Sequence, residues 1–168
     1  MVSLRWGDVL STLLPGSVAL FAVSPHIPVV AARLENLNEI GIGAGFALLI
    51  AAALMGGLLE AFTRVTWERW VLQRFCKSPD ALSNLRDEPQ KVDLYERGVQ
   101  NSYKYSTFYA NFAWAILLLP AARLELRFTD LFIMLAAAIL LYASYIQWTY
   151  FVNYLDRIFG ETADDAEG

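Results

Sequence analysis

One cysteine and one histidine, Cys76 and His26, are all that this 168-residue chain offers to sulfur or imidazole chemistry. A single thiol closes no internal disulfide, so no oxidising compartment is implied. A metal site built from His and Cys takes about four such ligands and is close to excluded. Only a site made of carboxylates alone stays open. Charge is scarce as well. Charged residues are 18% of the chain, against about 25% in a typical soluble domain. The formal charge of -4 comes from the tail beyond Leu155, where Asp156, Glu161, Asp164, Asp165 and Glu167 face only Arg157. With no basic excess, nucleic acid is not an expected partner. Catalytic signatures are missing too: there is no GxSxG elbow, no HExxH and no phosphate-binding loop. No catalytic residue, cofactor site or metal site is assigned.

What the chain has is apolar length. Apolar residues make up 57% of it, and they fall in long uncharged runs. A spanning helix needs about 20 such residues to cross a hydrocarbon core about 30 Å thick. Four runs qualify: between Asp8 and Arg33, from Gly41 to Leu59, from Tyr105 to Ala122, and from Leu131 to Leu155. The expected fold is therefore an all-α integral membrane protein in one domain. Its spans are expected near 9–27, 41–59, 105–122 and 131–155.

The first span carries Pro15, Pro25 and Pro28, and proline removes a helical hydrogen bond. A helix capped by Asp8 is expected to kink near Pro15-Gly16 and to end before Ser24-Pro25. The rival reading is a cleaved signal peptide, with Arg5 as its basic region and Val30-Ala31-Ala32 as the cleavage site. Asp8 and the prolines argue against it. Either reading puts Arg33 on the far side of the membrane.

Orientation follows from lysine and arginine near the span ends. The segment from Glu60 to Lys104 holds eight of them, and Arg5 and Arg157 bring that side to ten. The other side holds three: Arg33, Arg123 and Arg127. The richer side is expected in the cytosol, with both termini there and the protein multi-pass in the cell membrane. Trp67, Trp70, Tyr103, Tyr105, Tyr109, Trp148, Tyr150 and Tyr154 cluster near that boundary, where amphipathic rings anchor.

The pattern opened at Gly41 runs on without a breaker to Pro79. Spans two and three are thus expected to extend as an antiparallel helical hairpin over residues 60–104, its tip near 79–88. One arm carries the stripe Leu58, Phe62, Val65, Leu72 and Cys76, with Arg69 as a break in the seam. Glu60–Arg64 adds an i,i+4 pair. The other arm carries Val92, Tyr95, Val99 and Tyr103. The hairpin reads either as a self-packed extension or as a docking surface for a cytosolic protein, with Trp67, Trp70, Leu72, Tyr95 and Val99 as candidate contacts. The tail from 160 to 168 is acidic and expected to be disordered.

Inside the spans, Gly45, Ala52 and Gly56 form a small-residue face suited to close helix approach, to a subunit interface or to a pore lining. Asn111 and Gln147 are polar residues expected at matching depth, forming either a clamp or a constriction. Glu60 at the span end reads as a boundary ion pair or as a pore ring. His26 reads as a lone interfacial residue.

Three functions are weighed. The first is a non-enzymatic scaffold or accessory subunit that binds a partner through the hairpin. The second is a self-associating channel or membrane-disrupting effector lined by the second span. The third is a lipid-modifying enzyme around Glu60, Arg64, Arg69 and Asp93. The last is disfavoured, because those charges alternate in sign as on any solvated helix.

Overall fold

In a computed structural model, residues 6–35, 41–72, 74, 92–123 and 127–164 are described, and every element among them is helical. α1 spans Trp6–Val23, and a single 3-10 turn at Ser24–His26 leads into α2, Pro28–Glu35. α3 spans Ile42–Thr63 and continues in wider, π-type turns over Arg64–Leu72. α4, Val92–Gly98, passes through a similar wide stretch at Val99–Tyr103 into α5, Lys104–Arg123. α6 runs over Phe128–Asp164.

α1 ends where the proline pair says it must. It runs through Pro15 and stops at Val23, just before Ser24-Pro25. The Ser24 hydroxyl donates to the Phe21 carbonyl at 2.8 Å, one of the carbonyls that a helix end leaves without an internal partner. His26 has a specific partner as well: its Nε2 lies 2.7 Å from the Ala122 carbonyl, at the last turn of α5. At the start of α6 the Asp130 carboxylate reaches back to the Arg127 N–H at 2.7 Å. That is the return arm of a capping box.

α5 is the central helix. It touches α1, α3 and α6, while α1 also lies along α3. This placement explains its composition. Ser106, Thr107 and Asn111 would be costly on a helix facing hydrocarbon, but here they are enclosed. The α1–α3 contact is made by glycine. A side chain at Gly16 would fall on the Ala52 carbonyl, and one at Gly56 on the Thr12 carbonyl. Only the missing Cβ lets these backbones meet.

Two helices are long and apolar enough to cross a membrane: residues 42–72 and 128–158, each 31 residues. In each, only 17% of the most apolar stretch is buried. Leu54 is 65% exposed and Ile139 59%, while the residues turned inward include Ala19, Ala52, Ala110, Ala113, Ala115 and Ala137.

The opposite end is packed differently. Leu72, Trp148, Phe151, Val152 and Leu155 form a buried cluster, with Trp67, Tyr95, Val99, Tyr103, Tyr145 and Ile158 against it. Gly98 lies under Tyr154, where a side chain would come within 2.6 Å of the ring.

Three expectations change here. The first part of the apolar stripe of α3 faces the other way: Leu58, Phe62 and Val65 are exposed, and Leu59 and Thr63 are buried instead, while Leu72 of the same stripe is buried as expected. The reading took a spacing of three and four throughout, but π-type turns advance by more than four residues, so the inward positions become 63, 67–68 and 72. α6 does not stop near 155. It continues as helix to Asp164, into the segment expected to be disordered, and packs beside α3 and α4. The extension therefore contains a third helix. Cys76 and the expected tip near 79–88 lie outside the described residues.

Candidate functional site

Where the apolar part of the bundle gives way to the aromatic cluster, polar side chains from α3, α5 and α6 meet. Glu68 stands beyond the uncharged run of α3, on the inward side of its wide turns. It accepts from the Tyr103 hydroxyl at 3.2 and 3.3 Å and from the Thr107 hydroxyl at 3.3 Å. Burial pushes the Glu68 carboxyl above its ordinary range, and these two hydroxyls pull back against that shift. Burial, then the neighbouring Glu68 charge, push the Tyr103 hydroxyl up to about 12. Tyr103 therefore stays protonated and remains a donor. The pair is a clamp between α3 and α5.

A second clamp lies beside it. Ser106 donates to the Ser144 carbonyl at 2.9 Å, and the two hydroxyls are 3.1 Å apart. The indole N–H of Trp67 donates to the Ser144 hydroxyl at 3.0 Å. Ser144 thus joins three helices. Rings reinforce the belt: Tyr103 lies 6.0 Å from Trp148 and 5.6 Å from Phe151.

The residues singled out from sequence are distributed as follows. Glu60 and Arg64 form the expected ion pair at 2.7 Å. Ala52 and Gly56 are buried against α1, while Gly45 is half-buried beside α1 and α2 in a groove with Ser17, Leu20, Phe21 and Leu34. Asn111 and Gln147 do not share a level. Ser106 opposite Ser144 fixes the register, which sets Asn111 and Gln147 about 12 Å apart along the axis at 1.5 Å per residue. Asn111 is 3% exposed and its Oδ1 has no hydrogen-bond partner. Of the five candidate partner contacts, Leu72 is buried and Trp67, Tyr95 and Val99 pack on the extension's own core. Only Trp70 is open, at 71% exposure.

Glu68, Thr107 and Ser106 were not singled out from sequence. Their signal was the spacing Tyr103, Ser106, Thr107, Ala110, Asn111. It is a polar and small face at i, i+3 and i+4 on a helix otherwise rich in large apolar residues. Among the described residues no group of three or more His, Cys, Asp or Glu side chains is placed to hold a metal ion. Comparison with protein-family models, with curated proteins and with solved structures finds no match.

Proposed function

We propose that the chain is a multi-pass membrane protein of four spanning helices with a cytosolic helical extension, and that it serves as a scaffold or accessory subunit. The observation that carries the membrane reading is the inverted packing of the bundle. In the apolar half, most large apolar side chains on α3 and α6 face outward, Leu59 excepted, and alanine and glycine face inward. Water would penalise that arrangement by about 25 cal/mol for each Å² of apolar surface left open. Lipid does not, because its tails are as apolar as leucine. α1 and α5 complete the bundle as the remaining spans. The lysine and arginine asymmetry puts the aromatic extension in the cytosol.

The extension is self-packed and clamped to the bundle, which suits a rigid presenting surface. The supporting feature for a partner is the exposed pair Val65 and Trp70 on the continuation of α3, beside Phe62, which is half-covered by Trp114. The channel reading draws less support, since the face bearing Ala52 and Gly56 is taken up by α1 of the same chain. A photoreactive residue in place of Trp70, irradiated in native membranes, is expected to give a discrete adduct with a second protein. Adducts with lipid alone would overturn the scaffold reading.

A further inference from the structure

A groove of about 530 Å³ runs between the α4–α5 arm and the part of α6 beyond Trp148. That volume suits a small ligand. Arg97 and Ser102 line one side, and Tyr150, Asn153 and Arg157 line the other. Between them Gly98 lies against the Tyr154 ring, which sets the register of these antiparallel helices. Arg97 then stands level with a point between Asn153 and Arg157. The three positions fall within about 6 Å along the axis at 1.5 Å per residue. Arg97 also precedes Tyr105, where an uncharged run begins, by eight residues. On the membrane reading that puts it about 10 Å or more outside the hydrocarbon, past a headgroup layer about 5–7 Å deep.

Two features define what fits. The first is charge. Among the described residues neither guanidinium has an ion pair or a hydrogen bond. Asp93, Glu96 and Asp156 stand on the same helices but do not line the groove. The lining charge is therefore two positive, and both arginines are exposed and open to an anion. The second feature is the donor set. Ser102, Tyr150 and Asn153 have no hydrogen-bond partner among the described residues, whereas the Tyr154 hydroxyl donates to the Leu94 carbonyl at 3.0 Å. A carboxylate or a phosphodiester brings a single negative charge and a pair of free oxygens. A phosphate monoester brings close to two charges at pH 7 and three acceptor oxygens, and a guanidinium takes such oxygens in pairs. Of these anions the monoester matches both the charge and the donors.

We propose that this groove binds a phosphate monoester, its phosphate held by Arg97, Asn153 and Arg157 and its body lying towards Ser102 and Tyr150. The site stands whether or not a second protein docks at Trp70. The monoester is carried either on the outer rim of a lipid headgroup or by a soluble molecule, and the test separates the two. The full-length chain is purified in mild detergent, and native mass spectrometry measures the apparent Kd for two pairs of probes. The lipid pair is phosphatidylinositol 4-phosphate and phosphatidylinositol. The soluble pair is glycerol 3-phosphate and the diester dimethyl phosphate. In at least one pair the monoester is expected to bind about tenfold tighter than its control. Arg97→Gln and Arg157→Gln are each expected to remove most of that preference, as loss of one charge-assisted contact would. Arg74→Gln, at an exposed arginine outside the groove, is expected to keep it. All three sites are on the surface, so the variants are expected to fold as the parent does. A preference in the lipid pair alone assigns a headgroup, and a preference in the soluble pair assigns a free ester. No preference in either pair would overturn the proposal. So would a preference untouched in both groove variants, or one lost equally in Arg74→Gln.

Discussion

In the apolar half of the molecule the helices meet through Gly16, Ala52, Gly56 and a set of inward alanines. In the polar half they meet through Leu72, Trp148, Phe151 and Leu155. Large apolar residues are present in both places, but the apolar half buries few of them, Leu20 and Leu59 among them, with Val18, Met55, Trp114 and Leu118 packed against its small-residue seam. Where water is the solvent, burying large apolar side chains drives association. Where lipid is the solvent that drive vanishes, and close backbone approach with a few polar clamps takes its place. On the membrane reading proposed above, the change of building material along the bundle marks a change of solvent, with Glu68, Tyr103, Ser106 and Ser144 at the boundary.

The comparison breaks most visibly at the aromatic end. Trp148→Ala is expected to cost about 3–5 kcal/mol, as for other buried large-to-small changes, read as lost stability in detergent-based unfolding. The apolar half offers a sharper contrast between two neighbours. Gly56→Ala drives a methyl into the α1 backbone at Thr12, whereas a methyl at Gly57 meets nothing within 4 Å. Gly56→Ala is expected to cost about 1–3 kcal/mol. Gly57→Ala is expected to be neutral or to stabilise by up to about 1 kcal/mol through helix propensity. Equal losses at both would mean that the helices do not cross where the glycines place them.

Next in size is a pH effect at the belt. The folded Glu68 carboxyl titrates above its ordinary value of 4.5. Its folded form favours the proton, so its contribution to stability is full below that value and is lost as pH rises through the raised one. The difference in melting temperature between Glu68→Gln and the parent is expected to move in favour of the variant across that window. A difference independent of pH would place Glu68 in water. The smallest effects belong to the outer face. Leu54→Ala and Ile139→Ala are expected to change stability in lipid by about 0.5 kcal/mol or less, as surface substitutions do.

Much of the architecture was legible in the sequence. Uncharged runs marked the long helices, Ser24-Pro25 marked the end of α1, and Glu60–Arg64 was readable from its spacing. What was not legible has physical causes. The inward face of α3 past Thr63 depends on a widening of the helix that periodicity at 3.6 cannot show. The register of α5 on α6 is set by side-chain packing, with Ser106 opposite Ser144, so counting inward from span ends misplaced Asn111 relative to Gln147. The belt was hidden because Glu68, read by charge alone, looks like a solvated residue beside Arg69.

The most direct measurement is cysteine accessibility at three outward positions of α6, in a Cys76→Ala background. Thr129, Ile139 and Asn153 are all exposed on the protein surface. With a membrane-impermeant maleimide, Thr129→Cys is expected to label from outside and Asn153→Cys only after the cytosolic face is opened. Ile139→Cys is expected to resist labelling until detergent replaces the bilayer. Ready labelling of Ile139→Cys in intact membranes would contradict the account, since water would then bathe the face assigned to lipid.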